Sequence, residues 1–285
     1  MGTTLYKNAD WIITMNEKRE KIRHGDLLIS GKEILDVGTD LEKKYEGTLK
    51  IDHVVEAEGT VILPGFVNVH HHTWQSLIRN IQATRGLKLE PWLTVMYEIY
   101  KDLNTDVARA GVYSGLGDML KTGCTTSNDL WYPHPVGVKY LVDAEIEAAA
   151  EIGIRFHPTR GFHSVPSSIV PPEVVDTKES VVEDTIRLVK KYHDRSRFSM
   201  CQVGIAPSIA QYETEDIIEA VVDLAEEYDI MVHGHLAESQ HEVEYTLKTW
   251  GCRPFEWFKR HRLLGKRFYF AHCIHLNEEE IAQMA

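Results

Sequence analysis

Positive charge is what this sequence is shortest of. Its 31 lysines and arginines are outnumbered by 43 aspartates and glutamates, for a net charge of −12. A nucleic-acid backbone or an anionic membrane needs a basic face, so neither is an expected partner, and the charge reads simply as a solubility feature. No apolar run approaches the ~18 residues that a membrane-spanning helix needs. Met1 to Asp10 contain no charged segment followed by an apolar core, so no signal peptide is expected. Gly2 is present, but Tyr6 stands where the myristoylation pattern requires Ser or Thr. Cysteine is scarce too: Cys124, Cys201, Cys252 and Cys273 make no C-x-x-C pair. That argues against a thiolate zinc site or a redox motif. Their scatter through apolar segments reads as reduced, mostly buried thiols in a cytoplasmic protein. Several catalytic signatures are missing as well. His241-Glu242 is followed by Val, Glu and Tyr, so H-E-x-x-H fails. H-x-E with P-C-x-x-C, G-x-S-x-G, the P-loop and a G-x-G-x-x-G after a strand are also absent.

What remains is the composition of an ordinary globular protein, 43% hydrophobic and 26% charged, in 285 residues that suffice for one large domain or two smaller ones. Residues 1–57 read as short strands at intervals of about ten residues with glycines between them, a small antiparallel β unit. It is too small to bury much alone and should pack against the rest of the chain. From residue 58 to 285 the rhythm is strand, then helix, repeatedly. Candidate strands are 61–69, 124–129, 154–159, 200–206, 230–235 and 267–273. Candidate helices are 91–101, 104–122, 138–152, 178–193, 214–228 and 241–260. Alternating units imply an α/β fold, a parallel sheet with helices outside. Six units fall in about 225 residues, where a (β/α)8 TIM-type barrel has eight in ~250. Polar residues gather at the strand C-terminal ends (His70, His72, Asp129, Arg160, Ser208, His235, His272), where such a barrel keeps its active site.

The most informative stretch is 61–72, Val-Ile-Leu-Pro-Gly-Phe-Val-Asn-Val-His-His-His. A Val- and Ile-rich run reads as a buried strand leading into three histidines. Strand side chains alternate, so His70 and His72 share one face and His71 takes the other. Two imidazoles so placed can grip one metal ion. A second cluster, His233-Gly234-His235-Leu236-Ala237-Glu238, puts His235 at a strand end and Glu238 in the loop beyond. His235 could complete a three-histidine metal set, with Glu238 beside it as a proton shuttle. Taken alone, the same residues also fit a hydrogen-bonded core histidine and a solvated loop charge. His272, at the end of the sixth strand, could reach the activated water or the substrate. His275 lies past that end and reads as a loop residue.

These motifs resemble the amidohydrolase superfamily, and more narrowly its cytosine and guanine deaminase, s-triazine hydrolase and 8-oxoguanine deaminase group. The resemblance is carried by Leu63 to His72, Gln75 and Arg79, Glu90-Pro91-Trp92-Leu93, Gly123 to Ser127, Arg155-Phe156-His157, Thr159-Arg160-Gly161, Lys191 to Asp194, His235 to Glu238 and Ala271-His272-Cys273. It spans essentially the whole chain, and 8-oxoguanine deaminase and its near relatives fit the triple histidine with Gln75 best. It implies a (β/α)8 barrel behind a small β-sandwich-like N-terminal domain. It also implies one divalent metal, zinc or alternatively iron, on His70, His72 and His235. Glu238 would be the acid/base and His272 would orient the water or polarise the substrate. Gln75, Trp92 and Arg160 would be substrate contacts, although Trp92 also suits a core and Arg160 a structural salt bridge. The implied reaction is hydrolytic removal of ammonia from an amino-substituted N-heterocycle such as 8-oxoguanine, guanine or a pterin, in a homo-oligomer. Loss of chloride or an alkylamine from a triazine, or a degenerate barrel that only binds, are the alternatives. The resemblance also implies two further strands and an aspartate at the end of the eighth. No aspartate here can be carried over to that role, and Asp129 lies in the wrong strand. The sequence is therefore expected to be a fragment of a longer protein, binding metal weakly and turning over little by itself.

Overall fold

The computed structural model describes residues 2–285. They divide into two compact units, the first ending at Phe66 and the second running from Val67 to Ala285.

The first unit is one five-stranded sheet. β1 (Thr3–Ile13) pairs antiparallel with β2 (Lys21–Ser30), which pairs antiparallel with β3 (Glu33–Gly38). After the short helix α1 (Leu41–Lys44), β4 (His53–Glu56) and β5 (Val61–Ile62) run parallel to β1. The sheet is therefore mixed, not antiparallel, and single, not a sandwich. A tight hairpin forces antiparallel pairing, whereas α1 and its flanking turns carry the chain back to the starting end of β1. Leu5, Leu28 and Leu41 form one small core and Ala9, Ile12 and Ala57 another.

The second unit holds six parallel strands in chain order: β6 (Phe66–Asn68), β7 (Cys124–Trp131), β8 (Arg155–Phe162), β9 (Gly204–Pro207), β10 (Val232–Leu236) and β11 (Phe268–His272). Between them lie α2 (Leu89–Tyr100), α3 (Thr105–Lys121), α4 (Leu141–Ile152), α5 (Lys178–Tyr192), α6 (Glu215–Tyr228), α7 (Gln240–Trp250) and α8 (Pro254–Arg260), and α9 (Glu278–Met284) comes after β11. Side-chain caps fix several starts. Asn104 accepts from the amides of Asp106 and Val107, Thr177 from Ser180, and Asn277 with Glu280 forms a reciprocal capping box. The expected helix 241–260 is two helices. Gly251, left-handed at φ 67°, ends the first, and Pro254 opens the second.

Six strands laid flat would hold the outer two about 24 Å apart. Here the rings of His70, just past β6, and His272, ending β11, have centroids 5.4 Å apart. The sheet is therefore curled, a partial barrel with its strand C-termini converging. Its interior and helix layer share one large core that includes Trp74, Trp131, Phe156, Phe162 and Ile205.

The expected strand 61–69 is broken and is not buried. Pro64-Gly65 splits it, Val61–Ile62 joins the N-terminal sheet, and Phe66–Asn68 forms β6. Phe66, Val67 and Val69 are 59–63% exposed, because β6 is an edge of the six-stranded sheet. An apolar run cannot by itself distinguish a covered strand from an uncovered one.

The turn after the histidines is packed tightly. Thr73–Ile78 forms a 3-10 turn against α3, where a Cβ on Gly111 would lie 2.8 Å from Trp74 Cα. Gly111→Ala must push α3 off this turn. It is expected to cost about 1–3 kcal/mol, read as a lowered thermal midpoint; an unchanged midpoint would mean that the turn yields freely.

Candidate metal centre and active-site cleft

Three imidazoles from two distant strands meet at the mouth of the curled sheet. One ligand nitrogen from each of His70, His72 and His235 can be chosen so that all lie within 4.8 Å of one another. Their hydrogen bonds fix their tautomers. A carbonyl oxygen can only accept, so an imidazole nitrogen beside one carries the proton. His72 Nδ1 donates to Leu130 O at 2.7 Å and His235 Nδ1 to Ser208 O at 2.7 Å, leaving both Nε2 atoms as lone pairs. His233 Nδ1 donates to Tyr269 O at 3.0 Å, so its Nε2 must accept from His70 Nδ1 at 2.8 Å. His70 is thereby also left with a free Nε2 lone pair.

All three rings are held neutral. Burial, reinforced by the neighbouring histidines, pushes His70 down to about 3 and holds His72 and His235 well below the usual imidazole value. His72 Nε2 and His235 Nε2 are 3.3 Å apart, lone pair facing lone pair. No hydrogen can lie between them, so the contact is repulsive until a cation relieves it. Two nitrogens bound tetrahedrally to zinc at 2.0–2.1 Å are ~3.3 Å apart. Donor type, protonation and spacing therefore all fit a zinc-like dication, and iron suits the same ligands.

His233 is a site residue that the sequence alone does not single out. Strand alternation places it on the face of His235, but its contact is with His70, 163 residues away in sequence. Its ring stacks on Tyr269 with centroids 4.1 Å apart. His233→Leu removes the acceptor that fixes the His70 tautomer. Zinc affinity is expected to fall about 10- to 100-fold in a chelator competition; unchanged affinity would mean that His70 finds its tautomer unaided.

Beside the histidines opens a cleft of about 330 Å³. Its walls are largely apolar and aromatic, with Leu89, Trp92, Leu93, Tyr97, Tyr132 and Tyr212 around Gln75, Gln211, Glu90 and Glu238. That is the usual character of a small-molecule site. Glu238 Oε1 lies 3.3 Å from His272 Nε2, and the His272 ring stacks on His235 at 5.1 Å. Burial first, and then the negative charge of Glu90, raises the Glu238 carboxyl to about 7. Its loop is held firmly. Ala237 is left-handed at φ 49°, and the buried carboxylate of Glu242 accepts from the amides of Ala237 and Glu238 at 3.2 and 2.8 Å. His272 is itself left-handed at φ 69°, a strained backbone of the kind that clusters at functional sites. Ser239 ties this loop to α2 by donating to Glu90 at 2.9 Å.

Of the expected substrate contacts, Gln75 and Trp92 line the cleft, with Gln75 Nε2 donating to Tyr100 at 3.0 Å. Arg160 does not. It is buried in a separate cleft, its guanidinium bonded to Asp176 at 2.7 Å, to Asp184 at 3.0 Å and to the Gly161 carbonyl. Four of its five N–H donors are engaged by these partners, the arrangement of a structural ion pair. His163, three residues on, lines the histidine cleft instead. His71 faces the opposite way, into a pocket with Ser76 and Gly115. The four cysteines are free, and among the described residues no helix is long and apolar enough to cross a membrane.

The sequence profile of the Amidohydrolase family matches residues 61–285. The chain belongs to that family. It is 32% identical over 232 residues to an 8-oxoguanine deaminase of Pseudomonas aeruginosa, a match over 80% of this chain and 52% of that one. It is 30% identical over 283 residues to a 5-methylthioadenosine/S-adenosylhomocysteine deaminase of Bacillus cereus, covering 99% of this chain and 61% of the other. The chain thus spans little more than half the length of these curated relatives. Among solved structures, a zinc-complexed atrazine chlorohydrolase of Arthrobacter aurescens superposes with a TM-score of 0.90 at 25% identity, over 99% of this chain and 63% of that one.

Proposed function

We propose that this amidohydrolase chain carries the metal-binding and proton-transfer part of a hydrolytic deaminase. Its substrate would be an amino-substituted N-heterocycle of the 8-oxoguanine, guanine or pterin type. The observation that carries the reading is the Glu238–His272 pair at 3.3 Å, set in a largely aromatic cleft beside three histidine lone pairs. His70, His72 and His235 would hold the metal, most simply zinc. A dication there supplies Lewis acidity that ionises a water near neutral pH. The remaining chemistry falls to this chain. The Glu238 carboxylate accepts one proton of the water and passes it to a ring nitrogen as the water oxygen bonds to the amino-bearing carbon; it then carries the second proton, from the new hydroxyl, to the amine, the C–N bond breaks and ammonia leaves. His272 holds the Glu238 oxygen and keeps its own uncharged imidazole against the site. Trp92 and the cleft tyrosines offer flat faces for an aromatic ring, and Gln75 an amide for its edge. The P. aeruginosa deaminase at 32% identity supports the substrate class. In this reading the six βα units belong to an eight-unit barrel, and the protein acts in a homo-oligomer in the cytoplasm.

A triazine reading has its own support. A hydroxydechloroatrazine ethylaminohydrolase of a Pseudomonas species is 28% identical over the whole chain. The leaving group separates the two. Ammonia release from 8-oxoguanine, guanine or pterin, with none of ethylamine or chloride from triazines, is expected; the reverse pattern would overturn the deaminase.

The acid/base role has a pH signature. A carboxyl raised to about 7 is neutral below that pH and ionised above it. A step that needs it ionised therefore weakens as pH falls through its titration. In the metal-free protein the Glu238 carboxyl, followed by 13C NMR, is expected to titrate near 7, and zinc should lower that midpoint because a nearby cation favours the anion. A metal-free midpoint near the ordinary glutamate value would show that the cleft is wet.

A further inference from the structure

Behind His72, outside the cleft, sit two carboxyls that the proposed deamination does not use. Asp129 on β7 and Glu145 on α4 are both completely buried. Asp129 Oδ1 accepts from the amide of Thr73 at 2.5 Å, and Glu145 Oε1 accepts from the Thr73 hydroxyl. The two carboxyls lie within hydrogen-bonding reach of each other, and no cation offsets either. Asp129 Oδ2 and Glu145 Oε2 have no partner. Two buried acceptor oxygens left without a donor would be costly, and two adjacent buried carboxylates cannot both be charged. One proton between them supplies the missing donor and leaves a single shared charge.

Thr73 is the residue after His72, and both of its donors end on this pair. The next residue of β7 grips the same turn. The Leu130 amide donates to His71 O at 2.9 Å, and Leu130 O receives the His72 ring at 2.7 Å. We infer that Asp129 and Glu145, sharing one proton, form a clamp that positions His72 for the metal through Thr73. The inference rests on the metal reading of the three histidines, and both residues are positioning residues.

The shared proton makes a specific pattern of variants. An amide carries the donor that a shared proton provides, so Asp129→Asn beside an ionised Glu145, or Glu145→Gln beside an ionised Asp129, keeps every bond and the total charge. Both single amides are expected to bind zinc within about threefold of wild type in a chelator competition. Asp129→Ala and Glu145→Ala should bind about 10- to 100-fold more weakly and blur the d–d spectrum of a cobalt-substituted site. The Asp129→Asn/Glu145→Gln double variant, which cannot pair both amides, should behave like the alanines. Thr73→Val, nearly isosteric, tests the link without disturbing the pair and should weaken zinc severalfold, with unchanged circular dichroism. The Thr73 amide proton of the metal-free protein, expected far downfield and slow to exchange in wild type and in both single amides, reports the clamp by itself. If wild type binds no zinc while that signal persists, the metal reading fails and the positioning claim with it, but the acid pair stands. Folded alanine variants with wild-type zinc affinity would overturn the positioning claim. Single amides as weak as the alanines would overturn the shared proton.

Discussion

Replacing His235 by alanine is expected to abolish stoichiometric zinc. Metal-to-chain ratios measured at equilibrium with excess free zinc, which fills even a weak site, should drop from about one to the background of a control without the site. Zinc sites built from four protein ligands contribute ~10–16 kcal/mol, so each ligand carries about 3 kcal/mol, or two to three orders of magnitude in affinity. The loss should be near the top of that range. The His235 ring is anchored on Ser208 O at 2.7 Å, and among the described residues three imidazoles bring ligand nitrogens together here. The substitution also removes the lone-pair repulsion with His72, so the apo protein should be no less stable for losing that contact, although it loses the buried ring's packing. His71→Ala is the control. Its ring points into the other pocket, so zinc content should hold. Equal zinc in wild type and His235→Ala would sink the three-histidine site.

The histidine set was legible in the sequence for a simple reason. Strand alternation is a local rule, and it places His70 with His72, and His233 with His235, without knowledge of the fold. What alternation cannot give is which rings from different strands touch, and so the His233–His70 contact was out of reach. Arg160 shows a different limit. Its substrate role came from the family resemblance, beside the alternative of a structural salt bridge, and its place at the end of the expected strand 154–159 suited both. The strand runs on to Phe162, where Arg160 meets Asp184 on α5 and His163, on the other face, lines the site. The exposed β6 and the mixed N-terminal sheet were illegible for a third reason: strand neighbours are set by topology, and residues 61–69 read the same whether or not a strand covers them. Asp129 showed only as a polar strand end and Glu145 not at all, since a lone Asp or Glu carries no mark of its partner.

Glu238→Gln should separate binding from chemistry. Glutamine keeps the size and polarity of the side chain but cannot take a proton from water or pass one on. Zinc content should stay at the wild-type ratio, because Glu238 is not among the three converging ligands. In a preparation that turns over, ammonia release should fall by about 10²- to 10⁴-fold, the usual contribution of a placed acid/base, which is ~3–5.5 kcal/mol of barrier. The fall should lie in kcat, with KM little changed, since the cleft walls that would bind the ring are untouched. The low-pH arm of the rate profile should vanish with it, because the group that loses its charge as pH drops is gone. His272→Asn should cost less alone, and the double variant little more than Glu238→Gln, because the two side chains meet at 3.3 Å and act as one unit. Full activity in Glu238→Gln would move the proton transfer to Glu90 or Glu242, the carboxylates flanking it. A fall matched by lost zinc would instead make Glu238 a structural support of the metal site.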